Sequence, residues 1–340
     1  MVLVTKHWEK SFGKWEKVFK PLSSCDVPQL KKPSPWPGIN NAVNRELLRS
    51  LPADLLPSLK LVSDSPLAWW YGQFIKFILR PQEELLSYVK TIKGSDFIHP
   101  IAGLHVRRTD KIGTEASGWK VEEYMVHVED FYSQLELEHS VPVKRVYVAT
   151  DDPKVLRSLQ KSYKNYTFLT NPKGTATAKV VKNRYSMKSL FGAVTDVFLL
   201  AHTDFLVCTF SSGFCRLSYE LMQTDADFSR KAHSLDVEYH YAGSLPPSRQ
   251  VLYSHSPLFN YEMALQVGDV LTKGNEYDIV NEAKEGRLWD GYNKAYNLRT
   301  KLMSLYPTYK TKPLTIVGDF PKYANVKLVS PSPDKDFENL

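Results

Sequence analysis

The chain has 340 residues with 43% hydrophobic content, so it is long enough for two or three folded domains and is not a disordered protein. No apolar run reaches the roughly 18 residues of a membrane-spanning helix, and the first ten residues lack the apolar stretch of a signal peptide. The net charge of +7 suits an anionic partner, but basic residues are scattered and no nucleic-acid-binding motif is present, so we expect no nucleic acid partner.

The first predicted unit, residues 1–97, is a partial amino-terminal helical and α/β region. Residues 1–63 include the proline-rich run Lys32–Gly38, which is typical of a loop. Residues 66–90 predict two helices that meet at Arg80 and Pro81. Their shared aromatic face is expected to be core, with a ligand platform as the alternative.

The second predicted unit, residues 98–246, alternates apolar strands with helices. The predicted strands are 98–106, 145–150, 166–169 and 204–210, and the predicted helices are 121–138, 154–163, 185–202 and 212–224. Near-continuous apolar strands between helices indicate a parallel sheet that is buried on both faces. The predicted fold class is therefore α/β, with a Rossmann-like domain at the centre of the chain.

The pattern changes near residue 248. Short strand-like pieces at 250–255, 264–270 and 289–292 occur without long helices between them. This spacing predicts a small antiparallel barrel over residues 247–312. The polar, proline-punctuated residues 313–340 predict a flexible tail.

The loop after the first predicted strand is rich in charge. Arg107 and Arg108 follow the strand directly, where an open α/β sheet binds ligands, and an arginine fork suits phosphate oxygens. Surface salt bridges are the alternative. Glu115 is a candidate general base, and Lys111 could hold the same acceptor or Glu115 itself.

Two further loops follow predicted strands and should open on the same edge of the sheet. One of Asp151 and Asp152 can cap the helix that begins at Pro153, which leaves the other to bind a hydroxyl or orient a base. Ser211 and Ser212 begin the helix after the strand 204–210 and can bind an anion. The alternative is that these serines only cap the helix.

Three more residues bear on the chemistry. Cys208 and Cys215 bracket the serine loop, and they are either a disulfide that stiffens it or a reduced buried pair. Asp196 lies on an apolar helix and could match the two N–H donors of a guanine edge. Neither a P-loop nor a Gly-x-Gly-x-x-Gly motif is present, which argues against an ATPase or a dehydrogenase. Cys and His residues at metal-ligand spacing are also absent from the sequence, so no metal is predicted.

Motifs along nearly the whole chain resemble those of the animal α-1,6-fucosyltransferases, which core-fucosylate N-glycans. The matching segments are HVRRTDKIGTE, EEYMVHVE, VYVATDDP, NRY, DFLVCTFSS, YELMQT, HSLD, WDGY and LYPTYK. The resemblance implies a GT-B-type nucleotide-sugar domain followed by a Src homology 3 (SH3)-like barrel. It also implies a Golgi enzyme with a membrane anchor and stem, of which we expect this chain to be an amino-terminally truncated form.

The resemblance also implies roles for individual residues. The catalytic residues would be Glu115, Lys111, Arg107 and Asp110. The donor-binding residues would be His105, Arg107, Arg108, Asp151, Asp152, Arg184, Asp196, Ser211 and Ser212. The acceptor-binding residues would be Lys111, Glu115, Tyr124 and Asp236, and the family pairs the counterparts of Cys208 and Cys215 in a disulfide.

The implied reaction is an inverting, metal-independent transfer of L-fucose from GDP-fucose to the 6-hydroxyl of the innermost GlcNAc. No cofactor is expected, and the expected partners are GDP-fucose, the N-glycan and a second copy of the full-length form. Leu288 and Val237 stand where the family usually has histidine and aspartate, which affects acceptor preference. The alternative is an inactive fragment or paralogue that binds proline-rich peptides through Trp289, Tyr292 and Tyr309.

Overall fold

Helices and strands alternate through the middle of the chain. The computed structural model describes residues 12–22, 50–108, 118–178, 186–224, 231–240, 247–272 and 291–320. The helices are α1 (Leu56–Val62), α2 (Pro66–Ile78), α3 (Glu83–Lys93), α4 (Val121–Glu138), α5 (Pro153–Ser162), α6 (Pro172–Ala178), α7 (Met187–Ala201) and α8 (Gly213–Met222). The strands are β1 (Leu51–Pro52), β2 (Ile101–Val106), β3 (Lys144–Thr150), β4 (Tyr166–Thr170), β5 (Phe205–Cys208), β6 (Lys231–Ser234), β7 (Arg249–Val251), β8 (Val270–Thr272), β9 (Tyr292–Asn297), β10 (Met303–Pro307), β11 (Thr311–Pro313) and β12 (Val317–Gly318).

A parallel sheet of five strands, in the order β4-β3-β2-β5-β6, positions the candidate site. Every residue of β2 is buried, as the apolar run predicted, because helices cover both faces of the sheet. The chain starts in the middle of the sheet, moves outward to β4 and then returns to β5 on the other side of β2. The strand order therefore reverses between β2 and β5, and such switch points are where open α/β sheets bind ligands.

Two separate cores hold the helices against the sheet. On one face, buried residues of α3, α7 and α8 form a cluster with Trp15, Val18 and Phe19. On the other face, α4 and α5 pack against the strands through residues such as Val128 and Leu159. This three-layer arrangement confirms the predicted α/β class and the Rossmann-like sheet.

Two glycines allow backbones to approach closely. A Cβ at Gly103 in β2 would lie 2.6 Å from Thr203 Oγ1, so β2 and the end of α7 could not keep their spacing with a larger residue. A Cβ at Gly72 in α2 would lie 2.2 Å from the carbonyl oxygen of Glu220 in α8. The contact between α2 and α8 therefore requires glycine at position 72.

Some predicted elements differ from the observed ones. Residues 1–63 were expected to be loop, but Leu56–Val62 forms α1, a two-turn helix with proline in its first turn. The expected strand at 264–270 is wrong, because β8 begins only at Val270 and ends at Thr272. The edge strand β6 and the short helix α6 were not predicted, since neither carries an apolar periodic run.

A second sheet of five strands, antiparallel throughout, follows the parallel sheet. Its order is β10-β9-β8-β7-β11, and its small core includes Val251, Leu271 and Tyr306. Beside it, the buried carboxylate of Asp269 accepts hydrogen bonds from Arg299 and from Asn297. Arg299 holds the pKa of Asp269 well below its usual range.

The prediction of a flexible tail from residue 313 is wrong for its first part. Leu314 N–H donates to the carbonyl of Ser248 at 2.7 Å, and β12 pairs in parallel with β1. The ring of Phe320 packs edge-on against Trp70, with 5.6 Å between ring centroids. These backbone and aromatic contacts order residues 314–320, and residues 321–340 lie outside the described ranges. No helix within the described ranges has the length and apolar character that a membrane span needs.

Candidate functional site

Two loops meet at the switch point of the parallel sheet. Arg107 and Arg108 follow β2, and residues 210–212 follow β5 and lead into α8. The ring of His105 at the end of β2 stacks against Phe214 in the first turn of α8, with 6.2 Å between centroids. The structure thus brings the predicted arginine loop and the predicted serine loop to one place.

Asp151 holds the arginine loop from the neighbouring strand. Arg107 Nε lies 3.2 Å from Asp151 Oδ2, and the backbone N–H of Arg108 donates to Asp151 Oδ1 at 2.9 Å. The side chains of Arg107 and Asp151 are only 19% and 2% exposed, so this pair is not a surface salt bridge. A guanidinium fixed in this way can present its planar fork to an anion without first losing conformational freedom.

The two aspartates after β3 have different contacts. Asp152 accepts a hydrogen bond from the N–H of Lys154 at 2.9 Å and caps α5. Asp151 is the one that binds the arginine loop. Arg108 donates from its guanidinium to the carbonyl of Trp119 at 2.9 Å, which fixes the chain just before α4.

The loop after β5 presents the start of a helix to the same edge. Ser212 is the N-cap of α8, yet its side chain makes no capping hydrogen bond. Its own N–H donates to the carbonyl of Thr209 at 3.0 Å. The first N–H groups of a helix have no partner within the helix, and its positive end favours an anion. This arrangement supports an anion-binding loop over a serine that only caps the helix.

Tyr124 and Asp236 lie close to the arginine loop. Tyr124 in α4 is buried, and burial raises the pKa of its hydroxyl. The nearby carboxylate of Asp236 raises that pKa further, while Arg108 opposes it, so all three residues share one electrostatic environment. Asp236 also lines a cavity of about 520 Å³ between residues 232–240, the start of α2 and the chain around residues 313–316.

Asp196 is placed beneath the sheet, where it is bound by other protein groups. Its carboxylate accepts a hydrogen bond from the hydroxyl of Tyr147 in β3 at 2.7 Å. Burial raises the pKa of Asp196 to about 7, while hydrogen bonds from Tyr147 and Asn171 act in the opposite direction. Asn171 directly follows β4, so Asp196 interacts with the chain at the end of β4. Its role at a guanine ring stays a prediction.

The buried carboxyl of Asp196 should make stability depend on pH. Between about pH 4 and 7 the unfolded chain releases this proton and the folded chain retains it, so stability falls as pH rises, by at most about 1.4 kcal/mol per pH unit. Burial also raises the pKa of Glu220 to about 7, which adds a contribution of the same sign. We expect Asp196→Asn to make stability fall less steeply as pH rises, by at most about 1.4 kcal/mol per pH unit.

Urea unfolding at a series of pH values between 4.5 and 6.5 measures that slope. Glu138→Gln, at an exposed position near the end of α4, is the matched control and should leave it unchanged. An unchanged slope in Asp196→Asn would mean that Asp196 is already ionised in the folded protein.

Four predicted site residues, Asp110, Lys111, Glu115 and Arg184, lie outside the described residues. The Cα atoms of Cys208 and Cys215 are 6.1 Å apart, which is within the range that a disulfide can bridge. Within the described ranges, no group of three or more His, Cys, Asp or Glu residues could hold a metal ion. Ser234 and Arg216 contact the serine loop and were not predicted, since a lone serine and a helical arginine carry no sequence signal.

The family model described as alpha-(1,6)-fucosyltransferase N- and catalytic domains matches residues 1–240. The alpha-(1,6)-fucosyltransferase of Drosophila melanogaster is 35% identical over 342 residues, covering 96% of this chain and 53% of the relative. That of Caenorhabditis elegans is 33% identical over 341 residues, covering 93% of this chain and 57% of the relative.

The chain therefore spans about half the length of the curated relatives it matches. A solved structure of NodZ alpha-1,6-fucosyltransferase soaked with GDP-fucose matches 43% of this chain and 45% of that chain, at 19% identity and a TM-score of 0.30. Because the family model matches well over half of the chain, the chain belongs to the alpha-(1,6)-fucosyltransferase family.

Proposed function

We propose that this chain transfers L-fucose from GDP-fucose to the 6-hydroxyl of the innermost GlcNAc of N-glycans. The observation that carries the proposal is the Arg107–Asp151 pair at the end of β2, next to the start of α8 at the switch point of the sheet. A fixed guanidinium beside a helix N-terminus suits the diphosphate of a nucleotide sugar. Membership of the family makes GDP-fucose the expected donor.

Arg107 and the start of α8 would act on the leaving group. As the bond between the fucose anomeric carbon and the β-phosphate oxygen breaks, negative charge grows on the diphosphate. Arg107 would bind the β-phosphate, and Ser212 with the first N–H groups of α8 would stabilise that charge. Ser211 and Arg108 belong to the same loops, and His105 with Asp196 and Arg184 would recognise the rest of the nucleotide. These cations and N–H donors are the basis for proposing that no metal is required.

Glu115 would act on the attacking group. The 6-hydroxyl oxygen attacks the anomeric carbon on the face opposite GDP, which inverts its configuration, and the hydroxyl proton passes to the Glu115 carboxylate. Lys111 and Asp110 would orient the hydroxyl and the base. Tyr124 and Asp236 would bind the acceptor, and their proximity to Arg108 supports an acceptor site beside the donor site.

The remaining proposals concern the wider protein. We propose a Golgi location for the full-length form, where a Cys208–Cys215 disulfide can persist. We also propose that the catalytic part is of the GT-B type, that the antiparallel sheet is an SH3-like barrel, and that the full-length form is a homodimer.

Incubation with GDP-fucose and a GlcNAc-terminated biantennary glycopeptide tests the function. Mass spectrometry should show one added fucose, and linkage analysis should place it on the 6-hydroxyl of the innermost GlcNAc. Activity should persist in EDTA, which checks metal independence. No transfer, either by this chain or by a form extended with the upstream part of its relatives, would contradict the proposal, as would a different linkage.

A further inference from the structure

The serine loop after β5 is fastened by residues that lie outside it. Ser234 is the last residue of β6, and Asp236 and His240 lie in the segment that follows it. Arg216 lies in α8. We call these four residues the clasp. Ser234, Asp236 and Arg216 bind the backbone of Phe210 and Ser211, and His240 binds Arg216.

Ser234 and Asp236 hold the loop through its N–H groups. Ser234 Oγ accepts a hydrogen bond from the N–H of Phe210 at 2.9 Å and donates to Asp236 Oδ1 at 2.9 Å. The same carboxylate oxygen accepts from the N–H of Ser211 at 3.4 Å and from that of Val237 at 2.6 Å. These hydrogen bonds therefore fix the Asp236 side chain and the backbone of the serine loop relative to each other.

Arg216 holds the loop through its carbonyl. Its guanidinium donates to the carbonyl of Phe210 at 2.5 Å and to His240 Nε2 at 3.0 Å. His240 Nδ1 lies 3.0 Å from the carbonyl oxygen of Glu238, which can accept a hydrogen bond only if Nδ1 carries a proton. Nε2 is then the acceptor for Arg216, and the geometry selects a neutral histidine.

We infer that the clasp positions the serine loop for the nucleotide donor, so that Asp236 couples the acceptor site to the donor site. The inference rests on the proposed function for the identity of the two ligands. Asp236 and Arg216 are positioning residues in this account, because they act on the diphosphate through the backbone of residues 210–212. An acceptor hydroxyl that binds Asp236 would change the hydrogen bonds that hold Ser211. It would thereby change the position of the serine loop.

Binding of GDP to the whole chain, measured by calorimetry, tests this inference. We expect Asp236→Ala and Arg216→Lys each to weaken GDP binding about tenfold, since one hydrogen bond to a charged group contributes about 1.5 kcal/mol or more. Asp236→Asn keeps an oxygen that can accept from Ser211 and Ser234, so it should restore GDP affinity to within about twofold. Arg157→Lys, at an exposed position of α5, is the matched control and should bind as the parent does.

Kinetics and hydrogen exchange separate the possible outcomes. Asp236→Ala should raise KM for GDP-fucose as well as for the glycan, whereas a residue that only contacts the acceptor would raise the glycan KM alone. The amide of Ser211 should exchange faster in Asp236→Ala and in the milder Ser234→Ala, which guards against misfolding. Unchanged GDP affinity together with unchanged exchange would overturn the inference. If neither the parent chain nor the form extended with the upstream part of its relatives binds GDP, the proposed function fails, and the exchange result alone decides the clasp.

Discussion

Replacing Arg107 with alanine should lower kcat/KM for GDP-fucose by about 10³-fold, at the upper end of what one group that stabilises developing charge contributes. The Asp151 carboxylate orients the guanidinium at the switch point. The loss should appear mainly in kcat, because charge on the diphosphate is greatest in the transition state. Initial rates at varied GDP-fucose concentration measure it.

Two more variants test the physical reason for that loss. Arg107→Lys keeps the positive charge beside Asp151 but loses the planar fork, so its activity should lie between those of the parent and Arg107→Ala. Arg157→Lys should behave as the parent does. Because Arg107→Ala leaves a buried carboxylate without its ion pair, the thermal unfolding of each variant is measured separately. Full activity in Arg107→Lys would mean that a positive charge at position 107 is sufficient and that the planar fork is not needed.

Gly72→Ala should destabilise the protein by about 3 kcal/mol, although alanine is normally the better helix former by about 1 kcal/mol. The added Cβ would lie 2.2 Å from the carbonyl oxygen of Glu220 and 2.8 Å from Thr224 Cγ2. A backbone carbonyl cannot rotate away, so α2 must move from α8. We expect a fall in Tm of roughly 4 °C, measured by circular dichroism.

Gln73→Ala is the control for helix propensity, since it adds no group to the contact between α2 and α8. It should leave Tm within about 2 °C of the parent. Because α8 begins at the serine loop, Gly72→Ala should also weaken GDP binding. A Tm equal to that of the parent would show that the two helices have room to separate.

The parallel sheet was predictable because its strands are buried on both faces. Strands that are buried on both faces consist of continuous apolar residues, as in Phe205–Cys208. In the helices between them, apolar residues recur at the spacing of a helix turn. The edge strand β6, Lys231–Ser234, is half exposed and polar, so it carries no such run, and its pairing with β5 is a tertiary effect. The start of β8 was misplaced for the same reason, since the strands of this antiparallel sheet are short and only partly buried.

The sequence indicated which loops form the site, but it did not indicate which side chains contact each other there. Charged residues at the ends of apolar strands indicated Arg107 and Asp151, but which aspartate meets the arginine depends on the register between β2 and β3. Asp152 was assigned to capping only by the geometry at Lys154. The clasp joins Arg216 of α8 with the end of β6 and the residues that follow it, and no local pattern could have shown that contact.

The pairing of β1 with β12 has a consequence for the order of folding. Leu51 pairs with Val317, so nearly all of the described chain lies between the two partners. A contact between residues so distant in sequence incurs a large loop-closure entropy and forms slowly compared with local structure. During synthesis, Leu51 and Pro52 emerge long before their partners exist. The parallel sheet therefore has time to assemble first, and the β1–β12 pairing then closes the chain around it.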